Sequence, residues 1–236
     1  MENHGITSPW QACTDIILKP NRVFAKLQDT ANWSWLPFII VTFFSILPVY
    51  LYFSMIDFQW YTELVINAQY ADISPSEQDM IRSNMQQEQM LTLTVFSTLI
   101  GLILLNAVQA FYLYKITQID DQNTHSYGDW YGFTWWISLP VVLTAIIALI
   151  MIQLFGGAQM PPSDINPTSL AYLLNIEMSS DWYGLAQTVR IESFWAAYLA
   201  AVGISQWTRL NSKQCYIIAL APLAIIWGVW TLFIVF

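Results

Sequence analysis

Apolar residues in this chain gather in long blocks, not in the narrow stripes of a soluble helix. Five blocks, at about 35–55, 91–114, 133–155, 188–208 and 215–236, are long enough to cross a bilayer. Crossing ~30 Å of hydrocarbon takes roughly 20 residues of helix at 1.5 Å each. A membrane β-barrel alternates apolar and polar residues over about ten positions, and these blocks do not alternate. The pattern predicts an all-α, polytopic membrane protein with five transmembrane helices, a lead-in at 1–34 and a membrane domain at 35–236.

The polar stretches between the blocks carry their own signals. In the lead-in, Ser8-Pro9-Trp10-Gln11 has a capping serine, a proline at the first helical position and a glutamine three residues on, the marks of a helix start. Ile16, Ile17, Val23, Phe24 and Leu27 are expected to share an apolar face, with Lys19, Arg22 and Lys26 turned to lipid headgroups. Pro20 predicts two short helices there. "NWSWLPF" (32–38) sets Trp33 and Trp35 at the depth indoles prefer, and Pro48 predicts a kink in the first span. Ser74-Pro75-Ser76-Glu77 opens a helix expected to run unbroken from about 75 to 115. "GGAQMPPSDINP" (156–167) reads as a loop, and 168–178 as a short surface helix. The brief "TRLNSKQ" (208–214) makes the fourth and fifth spans antiparallel neighbours.

Charge then orients the pattern. Lys19, Arg22, Lys26, Lys115, Arg209 and Lys213 fall on one side of the predicted spans, and only Arg82 and Arg190 on the other. The positive-inside rule puts the six in the cytoplasm, with the N-terminus inside and the C-terminus outside. The segments at 56–90 and 156–187 are then external. No apolar signal core precedes residue 30, so the first span is expected to serve as its own uncleaved signal. Cys13 and Cys215 do not make a disulfide framework, and without a basic patch nucleic acid is excluded as a partner.

Catalytic patterns are missing. The only histidines are His4 and His125, neither inside a span, and no HExxH, GxSxG, Walker loop or CxxC is present. Asp121, His125 and Asp129 are spaced by four, as metal ligands on one helical face would be. Asn123, Thr124 and Gly128 interrupt that stretch and favour a polar loop, and no cofactor is expected. Polar groups in or beside spans are the remaining candidates: Asn106, Gln109, Gln153, Arg190 and Glu192, as a polar pathway or lipid contact. The competing reading makes the amides, Gln206 included, hydrogen-bonding glue between helices. Ala196, Ala197, Ala200, Ala201 and Ser205 space small residues by four, suited to close helix packing or to a homodimer seam.

One tetrapeptide repeats. Asp-Trp-Tyr-Gly occurs in "SYGDWYGFTWW" (126–136) and in "SSDWYGL" (179–185). Asp129 and Asp181 are each expected to cap a helix N-terminus, with each Trp-Tyr pair at the membrane surface, once from each side.

Taken together, "DIILKPNRVFAKL", "WSWLPF", the third span's "SYGDWYGFTWWISLP" and the fourth's "FWAAYLAAVGISQWTRL" with its basic turn resemble the Yip (Ypt-interacting protein) family of five-span membrane proteins. That resemblance implies the same orientation that the charge count gives. Eukaryotic members act in vesicle traffic, bind Rab-type GTPases and assemble with one another. Here the stretch before the first span is only about thirty residues, as in prokaryotic members, and lacks the long polar region of the eukaryotic ones. The expectation is a non-enzymatic protein of a bacterial inner membrane that organises membrane through lipid contacts and a membrane-protein partner or a second copy of itself. The alternative is a transporter or lipid-handling protein.

Overall fold

A computed structural model describes residues 5–236; His4 lies outside them. Helix is the regular structure of the described residues, apart from an isolated antiparallel bridge between Ser169 and Arg190. In chain order the α-helices are α1 (Pro9–Leu18), α2 (Pro20–Gln28), α3 (Trp35–Met55), α4 (Phe58–Gln69), α5 (Pro75–Asn84) and α6 (Gln87–Ile116). They continue as α7 (Tyr127–Ile137), α8 (Val141–Phe155), α9 (Leu170–Leu173), α10 (Tyr183–Thr188), α11 (Ile191–Trp207) and α12 (Ser212–Val235). Among the described residues four stretches are long and apolar enough to cross a membrane: α3, Gln87–Ile119, Tyr127–Phe155 and α12.

Two compact units share these helices. The first holds the chain up to Phe43, Gly101–Val142 and Glu192–Ile226; the second holds Phe44–Ile100, Leu143–Ile191 and Trp227–Phe236. Five helices, α3, α6, α8, α11 and α12, contribute to both, α11 through Ile191 alone in the second.

In the first unit the lead-in divides at Pro20, and the Ser8 hydroxyl accepts the Gln11 amide at 3.2 Å. Its apolar face turns to protein. Ile16, Val23 and Phe24 are fully buried and Leu27 nearly so, so the shared apolar face packs within the unit. The large apolar side chains that α1 and α2 leave exposed are Trp10 and Leu18. The core is aromatic. The Phe133 ring lies 5.0 Å from Phe24, 5.1 Å from Trp130 and 5.0 Å from Trp207. The Trp207 indole also donates to the Phe24 carbonyl at 3.0 Å, which ties α11 to α2. Gly203 makes room for this cluster, since a Cβ there would overlap the Phe133 ring and reach Phe24. The small residues Ala197, Ala200 and Ala201 are buried inside the same unit, so close internal packing accounts for them.

The second unit departs more from its sequence pattern. The helix expected over 75–115 is two helices, parted at Met85, whose ψ is 108°. Side chains on both sides of the break are held elsewhere. Arg82 grips Glu63 of α4 with two hydrogen bonds, at 2.7 and 3.0 Å, and Gln87 donates to the Phe53 carbonyl at 2.7 Å. Met85 and Met90 flank the break and pack on the Tyr52, Phe53 and Tyr61 cluster. Tertiary contacts thus override a sequence with no helix breaker. The capping box at Ser74 and Glu77 forms as its residues imply.

The block expected to cross at 188–208 starts later. The Leu170 amide bonds to the Val189 carbonyl at 2.8 Å and the Ile191 amide to the Thr168 carbonyl at 3.2 Å. Those bonds hold residues 189–190 extended and leave α11 with 17 residues, about 26 Å at 1.5 Å each. The surface helix expected over 168–178 is only the four residues of α9. Of the prolines in the spans, Pro48 and Pro222 lie inside unbroken helices. At Pro140 the chain leaves helix over residues 138–140 and divides the third block into α7 and α8.

Candidate functional site

A cavity of about 470 Å³ in the first unit lies where two aromatic stretches meet. One wall is the turn before α3 and its first residues, with Asn32, Ser34, Trp35 and Phe38; the other is α7, with Asp129, Tyr131, Gly132 and Trp135. Asn32 takes a left-handed φ of 66°, which asparagine tolerates better than most residues. That turn brings Ser34 to Gly132, where a Cβ would sit 2.7 Å from the Ser34 hydroxyl. The Trp136 indole donates to the same hydroxyl at 3.1 Å. Glycine is therefore required for close approach at the end of the first Asp-Trp-Tyr-Gly.

Asp129 also acts one step away from its expected role. Ser126 is the N-cap of α7, its hydroxyl accepting the Asp129 amide at 3.3 Å, while Oδ2 of Asp129 accepts the Ser126 amide and hydroxyl at 2.8 Å each. The aspartate thus sits at the third helical position of a capping box. Beside it His125 stacks on Trp207 at 4.4 Å and meets Trp130 edge-on at 6.1 Å. Burial holds its imidazole below the usual range, against the pull of Asp129 and of the Trp207 carbonyl. Asp121 is in the preceding turn, off any helix shared with His125. Among the described residues no group of three or more His, Cys, Asp or Glu is arranged to hold a metal ion. The same turn has another use: Asp120 accepts the Arg209 amide at 2.8 Å, and this bond with that from Gln122 lowers its carboxyl.

The second Asp-Trp-Tyr-Gly is built differently. Trp182 occupies the N-cap of α10 without a side-chain cap, and its amide bonds to the Ser180 hydroxyl at 3.3 Å, so Asp181 does not cap this helix. Near it, in the second unit, is a cavity of about 460 Å³ lined by Asn67, Asp164, Tyr172, Glu177 and Tyr183 among others. Burial raises the Asp164 carboxyl and the Tyr183 hydroxyl.

The five polar candidates are dispersed. Asn106, Gln109 and Glu192 belong to the first unit, Gln153 and Arg190 to the second. Asn106 is buried; its amide donates to the Leu102 carbonyl at 2.9 Å and its Oδ1 accepts the Ser138 hydroxyl at 3.3 Å, at the break before Pro140. Gln109 is half-buried and Gln153 exposed. Arg190 donates to the Gln187 carbonyl at 2.9 Å, next to the bridge with Ser169. Gln206 donates to Asn21 at 3.4 Å. Neither Asn106 nor Gln109 lines either cavity. The thiol of Cys13, pushed up to about 12 by burial, is no nucleophile at neutral pH. Sequence reasoning identified both walls of the first cavity as membrane-surface aromatics; that they face each other was signalled only by Gly132, whose missing Cβ leaves room for Ser34.

Helices of this length and apolarity, most of them turning large apolar side chains outward, define an integral membrane protein of helical type. The chain belongs to the Yip1 family, whose model, described as the Yip1 domain, matches residues 14–234. No characterised protein and no solved structure matches it.

Proposed function

We propose that this chain is a non-enzymatic organiser of the bacterial inner membrane, acting as a trafficking-type scaffold through lipid contacts and a protein partner, with itself as one candidate partner. In this reading α11 is a fifth, short crossing, within the lower range of about 17–25 residues for membrane helices. The N-terminus is cytoplasmic and the C-terminus outside. One observation carries the choice over a transporter: the buried amide of Asn106 is bonded to Ser138 and to its own helix and lines neither cavity. An amide bonded this way acts as glue between helices, worth about 0.6 kcal/mol on average. Trp10 and Leu18, exposed on α1 together with Lys19, Arg22 and Lys26, supply a second set of lipid contacts.

The test has two arms. Proteoliposomes of the purified chain are expected to move neither dye-labelled lipid nor small solutes faster than empty liposomes. Cross-linkers placed at exposed span residues in native membranes are expected to trap a defined complex, either a homo-oligomer or one with another membrane protein. Flux that Asn106→Leu abolishes in a folded protein would replace the scaffold with the transporter reading. For orientation, a cysteine at Ser163 should react with an impermeant thiol reagent in intact cells, and protection there would reverse the topology.

A further inference from the structure

The first unit's cavity has walls of one character and charge of one sign. Trp35, Phe38 and Tyr131 present aromatic surface with the buried Trp135 behind them, Asp129 contributes a carboxylate, and Asn32 a neutral polar group. Among the described residues no lysine, arginine or histidine lines it. Both hydrogen bonds that Asp129 accepts at the helix start use Oδ2, so Oδ1 is left to meet a ligand. Aromatic faces attract cations, and rings gathered around a carboxylate suit an ammonium group best of all. A volume of about 470 Å³ falls within the roughly 300–1,000 Å³ of small-ligand sites.

Apolar surface continues from the charged end. Trp35 opens α3 and Ile103 lies in α6, both among the helices able to cross a membrane. The ligand that fits such a site is cationic at one end and hydrocarbon at the other. An anionic headgroup would meet Asp129 with no basic side chain in the lining to offset the repulsion.

We propose that this cavity binds the ammonium group of a zwitterionic phospholipid, with the rings of Trp35 and Tyr131 beside the cation and Asp129 as its counter-charge. The proposal rests on the lipid contacts of the scaffold reading and gives them a headgroup class and a place. It also assigns a role to the paired "NWSW" and "GDWYG" stretches beyond marking the membrane surface.

Calorimetric titration of the full chain in a maltoside detergent tests it with three probes: dihexanoyl phosphatidylethanolamine, dihexanoyl phosphatidylglycerol and free ethanolamine. The zwitterionic lipid is expected to bind saturably and roughly tenfold tighter than the anionic one, and ethanolamine alone more weakly than the lipid. Equal or tighter binding of phosphatidylglycerol would overturn the proposal. Ethanolamine binding as tightly as the lipid would also overturn it, making the ligand a free amine. Asp129→Asn keeps an oxygen for Ser126 and should erase the discrimination between the two lipids. Trp35→Leu alters a side chain that is 66% exposed, so the fold is retained, and it should weaken the zwitterionic lipid several-fold. Unchanged binding in both variants would place any lipid site elsewhere. Cross-linking of the unsubstituted chain separates this proposal from the scaffold: a defined complex without lipid discrimination leaves the scaffold standing and overturns this proposal, and lipid discrimination without any complex removes the scaffold alone.

Discussion

Asp-Trp-Tyr-Gly occurs once in each compact unit, and the same four letters end in different places. In the first unit Trp130 is fully buried, packed on Phe133 and Trp207. In the second, Trp182 is 43% exposed. The motif is the same; the chain behind it is not. The first copy opens an 11-residue helix whose next turns bring Phe133, Trp135 and Trp136 into the core. The second opens a six-residue helix that stops where Val189 and Arg190 pair with residues 168–170. The units differ in the same sense throughout. Of the twelve largest fully buried side chains, all but Ile66 belong to the first unit. A short motif therefore fixes neither the cap of its helix nor its burial: the cap depends on the residues before it, and burial on the length of regular structure behind it.

The largest effect that would break this comparison is a paired truncation. Trp130→Ala removes a fully buried indole and should cost about 3–5 kcal/mol. Trp182→Ala should stay within about 0.5 kcal/mol, as partly exposed positions without special contacts do. Denaturant unfolding of both variants in one detergent checks this, and equal losses would mean that the units are packed alike. A smaller effect comes from the glycines. Gly203→Ala drives a methyl group into the Phe133 ring and should cost about 1–3 kcal/mol. Gly184→Ala meets only the edge of Trp230, 3.2 Å away, on a ring that is itself 37% exposed and able to yield. Its loss should be within about 0.5 kcal/mol.

How much was legible divides along the same line. Helix starts were readable because their chemistry is local: Ser8, Ser74 and the break at Pro20 act within four residues of themselves. The apolar blocks were readable because their length alone answers to the bilayer. The family showed in aromatic and proline patterns that survive without a catalytic motif. What stayed hidden depends on partners distant in sequence. Arg82 reaching Glu63 across nineteen residues parts a helix that has no breaker. The bridge between Ser169 and Arg190 shortens α11 in the same way. The buried face of α1 and α2 was visible as an amphipathic stripe, but period alone does not say whether lipid or protein covers it. At the cavity both walls were noticed and their meeting was not, because Asn32 turns the chain through a conformation that composition does not announce.

The finest test concerns pH, where the two units should respond in opposite senses. His125 in the first unit has an imidazole depressed below its ordinary value of 6.5, chiefly by burial between Trp130 and Trp207. The unfolded chain then binds more protons than the native one below that value, so His125 contributes stability that is complete above 6.5 and lost as pH falls through the folded value. Asp129 and the Trp207 carbonyl pull the other way but do not reverse the sign. Asp120, also depressed, adds to acid lability only below its ordinary 3.8, so the two windows are distinct. Asp164 in the second unit is raised above 3.8 by burial, with only the Ser163 hydroxyl opposing. Its contribution is complete below 3.8 and lost as pH rises through the folded value. Hydrogen-exchange protection separates the units, with peptides covering 125–136 and 160–185 tracked from about pH 8 down to pH 5, the range in which histidine titrates. Protection of the first should fall with acid, and His125→Phe, which keeps a ring on Trp207, should flatten the fall. Protection of the second should not fall, and Asp164→Asn should raise it at neutral pH. A common acid loss in both peptides, unaffected by His125→Phe, would mean that the units unfold as one and that the contrast in their packing has no consequence for stability.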